Sequence, residues 1–253
     1  MTSVGADQAI DHQPGDQRSA RLELLQGFTL HRGTDLVAVP MIVARLVAFL
    51  AIRRRPQHRS VVASTLWIDS PEARAAANLR SALWRAQRSC AGLVANDRGF
   101  LAVGDTVTCD LHDAVDRAHR LMSENGAVDP DAVLNGVIGD LAEDLLPTWS
   151  DEWVLIERER VRQLRLHALD ALSRAMSGQN RFGLAVEAAQ AAVAAEPLRE
   201  SAQRTLIEVH LAEHNVAEAV RVYRSYVTLL DDQLGIAPTA DLSRDLPMTA
   251  LAN

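Results

Sequence analysis

From Arg21 to Val39 the apolar positions fall in short runs, Leu22 and Leu24, then Phe28 and Leu30, then Leu36, Val37 and Val39, split by Gly27 and by Arg32-Gly33. Runs of that length between turn residues predict two or three small antiparallel strands. After Pro40 the period becomes helical, with Ile42, Leu46, Phe49 and Leu50 recurring up to Arg53-Arg54-Arg55 and Pro56. A shorter helix is expected from Arg59 to Trp67. A third begins where Asp69 and Ser70 offer capping oxygens, Pro71 suits the first helical position and Glu72 favours the positive helix end, and it runs to Ser89, ahead of Gly92. Leu93-Val94 and Phe100 to Val103 then flank Asn96-Asp97-Arg98-Gly99 as two strands around a turn. Strands, three helices and a closing hairpin over residues 21–110 make an α+β winged helix-turn-helix.

The rest of the chain reads as mainly α. Helices of less regular pattern are expected between Leu111 and Leu146, and one long helix from Glu152 to Met176. A shift of 34 residues superposes Ala168 on Ala202, Leu172 on Leu206, Ala185 on Ala219, Ala189 on Tyr223 and Val193 on Val227. That is the tetratricopeptide period, so residues 111–245 are expected to form an all-α tetratricopeptide-like repeat domain, with Asn180 and Asn215 in turns between helices. Glu157 with Arg160, and Glu159 with Arg162, read as surface helix support, and Trp149 and Trp153 as packing anchors. The segments 1–20 and 246–253 have little to bury and are expected to be loose tails.

Composition sharpens the functional side. All 26 basic side chains are arginine; the sequence has no lysine, which excludes chemistry that needs one in this chain, such as a phosphate-loop lysine or a pyridoxal Schiff base. The net charge of -7 is unevenly spread. Residues 20–110 carry twelve arginines against seven acids, and residues 111–253 carry thirteen against twenty-three. A positive block joined to a strongly negative one suggests two domains with different partners, the first of them a polyanion. A solenoid of charge -10 would repel DNA and offers its surface to protein, either for recruitment or merely for stability and dimerisation.

The third helix carries the sharpest signal. At 100 degrees per residue, Arg74, Asn78, Ser81, Arg85 and Arg88 share one narrow arc, opposite Ala75, Leu79, Ala82, Leu83 and Ala86. Arginine forks match guanine O6 and N7, asparagine pairs with adenine, and serine reaches bases or phosphates, so this stripe is a candidate for base reading in the major groove. The competing reading is a solvated face, which usually mixes glutamate among its arginines; this stripe contains no acid. Arg53, Arg54, Arg55, Arg59, Ser60, Ser64, Thr65 and Arg80 are candidates for phosphate contact, and Arg98 at the hairpin tip for the adjacent minor groove.

Other motifs are weaker. His210-Leu211-Ala212-Glu213-His214 matches an inverted zinc-protease pattern, but the 34-residue shift places His214 in an inter-helix turn, which breaks a shared face. His112 and His119 carry no chemistry, and Cys90 and Cys109 read as reduced fillers. With no serine elbow and no glycine-rich nucleotide turn, neither an enzyme nor a bound cofactor or metal is expected.

Leu66-Trp67, Asn78 to Arg85, Leu145-Leu146-Pro147, Trp153 to Arg160 and Gln163 to Leu169 together resemble the actinobacterial antibiotic regulatory protein family, activators with a winged helix followed by a bacterial transcriptional activation domain. The resemblance spans residues 21–238. It implies binding of double-stranded DNA at direct repeats near promoters of secondary-metabolite (antibiotic biosynthesis) genes, as a homodimer. It also implies recruitment of RNA polymerase or its sigma factor, in a cytoplasmic, nucleoid-associated chain without membrane contact. The chain departs from the family at Met41-Ile42-Val43, where basic residues are expected. It departs again at Val61, where Glu would complete a capping box with His58, so the second helix should fray at its start. The alternative is a repeat-based interaction adaptor that has kept the fold and lost DNA binding.

Overall fold

The computed structural model describes residues 19–123, 136–244 and 246. Both expected tails fall outside these residues except at their inner edges, as does the stretch 124–135 in the less regular helical region. The chain forms two compact units, Met1–Glu23 with Phe28–Cys109, and Leu24–Gly27 with Asp110–Asn253. The short strip Leu24–Gly27 thus leaves the first unit for the second and returns.

In the first unit, β1 (Ala20–Glu23), β2 (Thr29–Arg32) and β3 (Asp35–Leu36) form the expected antiparallel strands. Ala20, placed in the loose tail by the pattern, is inside β1 and buried. A fourth strand, β7 (Val107–Cys109), pairs in parallel with β1, bringing Cys109 opposite Leu22. Helix α1 (Met41–Arg53) buries every residue from Leu46 to Ile52. This is the behaviour of a helix apolar on all sides, which must lie in the core. Helices α2 (Arg59–Leu66) and α3 (Glu72–Ser89) follow within one residue of expectation.

Two local readings are corrected. Pro71 is the N-cap of α3 rather than its first helical residue; its carbonyl accepts from the amides of Arg74 and Ala75 at 2.9 Å each, and no side chain caps the helix. The second helix is also better anchored than a missing capping box suggested. The His58 ring nitrogen Nδ1 accepts from the Ser60 amide at 3.4 Å and lies 2.8 Å from the Ser60 hydroxyl.

The hairpin pairs β5 (Val94–Asp97) with β6 (Phe100–Val103), so the turn is the pair Arg98-Gly99 with φ of 46° and 86°. Two consecutive left-handed residues define the tight hairpin turn whose twist suits a β-ribbon. A strand not anticipated, β4 (Gln57–His58), pairs with β6 and makes a three-stranded sheet in the order β4-β6-β5. At its base Gly104 admits no side chain, since a Cβ there would lie 1.9 Å from the Gly92 carbonyl oxygen.

Among its described residues the second unit has only helices and an isolated bridge as regular structure. It contains α4 (Asp110–Ser123), α5 (Ile138–Ala142), α6 (Glu152–Gly178), α7 (Phe182–Ala195), α8 (Glu200–Ala212) and α9 (Val216–Leu234). The 34-residue repeat is visible in backbone detail. The Arg181 amide donates to the Met176 carbonyl at 2.9 Å, and its counterpart Asn215 donates to His210 at 2.7 Å. Asn180 and His214, also 34 apart, both hold left-handed backbone, with φ of 58° and 64°. Asn180 is therefore in the expected turn, whereas Asn215 is one step later, as the N-cap of α9 accepting from the Glu218 amide. His214 stands outside α8, exposed, while His210 is buried within it, so the two share no helix face. Among the described residues, no group of three His, Cys, Asp or Glu side chains could hold a metal ion.

Packing explains the repeat. Ala185, Ala188 and Ala192 of α7 and their counterparts Ala219, Val222 and Tyr226 of α9 are all buried. Small residues let neighbouring helices approach closely, and the Ser173 hydroxyl donates across that gap to the Ala185 carbonyl at 2.8 Å. Trp149 and Trp153 pack edge to face, centroids 6.4 Å apart, with Trp153 buried as an anchor should be. Glu157 departs from its reading as surface support: it is buried, with Arg160 at 3.6 Å, whereas Glu159 and Arg162 pair in the open at 2.9 Å.

After α9 the chain returns over α8 and α9, and Leu242 and Leu246 join Leu206, Ile207, Tyr226 and Leu230 in one apolar cluster. Glu200 fastens this return, accepting from the Thr239 amide at 2.9 Å, from the Thr239 hydroxyl, and from Arg204 at 2.7 Å. Burial alone would raise the Glu200 carboxyl, but these donors outweigh it and hold the group below its ordinary 4.5. A depressed carboxyl adds stability above its unfolded pKa and loses it as pH falls through the folded value. Acidification through and below the ordinary glutamate range is therefore expected to release the 236–244 return before the repeats melt, read as faster amide exchange there. In Glu200→Gln this exchange should already be fast at neutral pH and no longer depend on acid.

Candidate nucleic-acid interface

Helix α3 divides as its sequence requires. Ala75, Leu79, Ala82 and Ala86 are buried, each at 3% exposure or less, while Arg74, Ser81, Arg85 and Arg88 are exposed and Asn78 is half-buried. Leu83, grouped with the packing side, is half-buried. Alanines at most inward positions seat the helix close to its neighbours, so the polar stripe is carried on a rigidly held element, as base reading demands. Glu72, in the first turn, lies outside the stripe and favours the positive helix end.

The phosphate candidates sort into three groups. Arg59, Ser60, Ser64 and Arg80 are brought together around a groove of about 610 Å³ between α2 and α3, with Trp67, Ile68, Ala76 and Leu79 along its walls. The Ser64 hydroxyl is already bonded to the Val61 carbonyl at 3.1 Å and Ser60 to His58, so these two serines reach a phosphate only by sharing those bonds. Thr65 is half-buried and does not line the groove. Arg53, Arg54 and Arg55 form a separate exposed group at the end of α1, where Arg53 lies over the Phe49 ring at 5.4 Å. Arg98 is alone at the exposed hairpin tip.

Arg54 and Arg98 share a further property. Arg54 terminates α1 with φ of 53° and Arg98 opens the hairpin turn with φ of 46°. Glycine adopts such backbone without a steric penalty, so an arginine at each position costs of order 1 kcal/mol. Two strained arginines at exposed corners of one basic unit fit a side chain kept for its charge.

Sequence reasoning missed how the hairpin is tethered. His58, which caps α2, packs edge to face on Phe100 at 5.4 Å, and the Arg59 amide donates to the Gly99 carbonyl at 3.0 Å. The hairpin tip and the start of α2 are therefore tied to each other. Two residues are too short for a strand signal, so only the His58 and Phe100 pairing could have disclosed it. Trp84 was missed as well; it is 60% exposed, with Arg88 stacked on it.

A winged helix-turn-helix followed by helical repeats is the build of a two-part transcription regulator. Residues 111–245 match the family described as bacterial transcriptional activator domain, and the chain belongs to that family. Among solved structures it is similar to Mycobacterium tuberculosis EmbR, determined in complex with a low-affinity phosphopeptide, with a TM-score of 0.64 and 22% identity. The alignment covers 91% of this chain and 66% of the EmbR chain, so the likeness is one of fold. No curated protein matches significantly. The family is one of transcription regulators rather than enzymes. Among the described residues no helix is long and apolar enough to cross a membrane.

Proposed function

We propose that the chain is a sequence-specific DNA-binding activator. Residues 21–110 bind double-stranded promoter DNA, and residues 111–245 form the activation domain that dimerises and recruits RNA polymerase or its sigma factor. Helix α3 lies in the major groove with Arg74, Asn78, Ser81, Arg85 and Arg88 toward base edges. Arg53 to Arg55, Arg59 and Arg80 neutralise phosphates, and Arg98 at the tip of the β5-β6 hairpin reaches the neighbouring minor groove. The observation that carries this reading is the acid-free stripe on α3, exposed on one side of a helix whose other side is buried. The family resemblance favours direct-repeat sites upstream of secondary-metabolite genes, two protomers on each site, and action on the chromosome in the cytoplasm.

The test is a gel shift and footprint of the full chain on the upstream regions of neighbouring biosynthetic genes. Protection at regularly spaced repeats is expected. Affinity should fall steeply with salt, by about a thousandfold between about 50 and about 200 mM if roughly six phosphates are neutralised. Absence of any salt-sensitive DNA binding would leave the chain an interaction adaptor on the same fold.

A further inference from the structure

Trp84 has no part in the stripe described above, yet it is the most conspicuous apolar group on the basic unit's recognition helix. It is 60% exposed, and the Arg88 guanidinium carbon lies 4.9 Å from its ring centroid. Seven and eleven residues before it on α3 stand Ala77 and Ala73, both exposed. At helical spacing these three form an apolar row beside the arginine stripe. A helix that buries alanines at 75, 82 and 86 and leaves its indole in the open has its largest apolar side chain facing away from its own core.

We propose that Trp84 is a specificity-determining residue that reads thymine 5-methyl groups in the major groove, flanked by Ala73 and Ala77 and steadied by Arg88. This rests on the reading that α3 faces DNA. The thymine methyl is the apolar group a base pair presents in that groove, and alanine or an aromatic ring is a suitable partner for it. Arg88, stacked on the ring, keeps its charge at the face of the indole, so the apolar contact and the attraction to a polyanion come from one unit. A protein partner on this face would have to bring carboxylates to Arg74, Arg85 and Arg88, whereas a duplex brings phosphates and methyls together. Arg88 accordingly acts in part through Trp84, as a positioning residue.

The experiment uses the full chain and duplexes that it selects from a random pool, each amplified with either dTTP or dUTP, so that the two forms differ only in the 5-methyl groups. The wild-type chain is expected to bind the thymine form about tenfold tighter, since each methyl removed from water weighs about fourfold. Trp84→Ala should bind both forms alike, at close to the wild-type affinity for the uracil form, and Trp84→Phe should fall between. Equal thermal melting of the three chains would show that an exposed side chain was changed without loss of fold. An identical thymine-to-uracil ratio in wild type and Trp84→Ala would overturn this inference alone, because selective DNA binding would persist. Failure of the wild-type chain to select any duplex would overturn it together with the reading beneath it.

Discussion

Arg85→Ala is expected to cost about 1 to 3 kcal/mol of affinity for cognate sites, roughly 5- to 150-fold, and to relax selectivity at one base pair. Arg85 is exposed at the middle of the α3 stripe, one turn from Ser81, while its neighbour Ala86 faces the core at 1% exposure. Alanine is a strong helix former and the substitution touches no buried contact, so folding stability should move by less than about 0.5 kcal/mol. Binding titrations on a cognate duplex and on its single-base variants check both parts. The contrasting variant is Arg55→Ala, in the exposed group after α1, which should weaken all sequences alike and lower the salt slope by about 1. Equal losses on every sequence for Arg85→Ala would make it a phosphate contact and move base reading elsewhere on the helix.

The largest loss of stability is expected from Arg165→Ala in the second unit. The Arg165 guanidinium is 3% exposed and donates to the Leu141 carbonyl at 2.7 Å, to the Ala142 carbonyl at 2.9 Å and to Asp144 at 3.1 Å. Burial pulls its pKa below the ordinary arginine value against the opposing pull of Asp144. The side chain binds the end of α5 to α6, and its removal strands the Leu141 carbonyl. At about 1 to 3 kcal/mol for the unpaired buried Leu141 carbonyl and about 0.5 to 1 kcal/mol for each of the bonds lost to exposed Ala142 and to Asp144, Arg165→Ala should lose about 2 to 5 kcal/mol in chemical denaturation. Asp144→Ala should lose less than about 1 kcal/mol, because its carboxylate is 51% exposed and screened. If the two variants lost the same amount, the ion pair and not the carbonyl clamp would be holding this corner.

That clamp also shows where the sequence is readable and where it is not. Residues 145–169 bear a family resemblance, but the physical reason for their arginines appears only in three dimensions. Arg158 donates to the carbonyls of Leu145, Leu146 and Trp149, and so fixes a turn in which Leu146 holds φ of 43°. Side-chain bonds to irregular backbone leave no periodic trace. By contrast α3 and the 34-residue repeat were legible because burial on one face imposes a period on residue type, and the α3 stripe was legible because an absence of acids is itself a pattern. The short strands β4 and β7 were not, since two or three residues pair through backbone groups common to every sequence. The excursion of Leu24 and Leu25 into the second unit was equally hidden. Their amides bond the Asp110 carboxylate at 2.8 to 3.0 Å across more than eighty residues of chain, and nothing local in Leu24-Leu25-Gln26 signals that partner.

The claim that α3 presents its polar stripe to a duplex is tested most directly by DNA cleavage from the stripe itself. Ser81 is exposed, whereas Cys90 and Cys109 are buried at 3% and 2%, so Ser81→Cys can be labelled selectively with a chelated iron that cuts nearby nucleotides. On a saturated cognate duplex, short clusters of cuts at one fixed position within each bound repeat are the expected result. Saturated binding with no cutting, or with cutting spread evenly along the duplex, would show that another face of the protein meets the DNA.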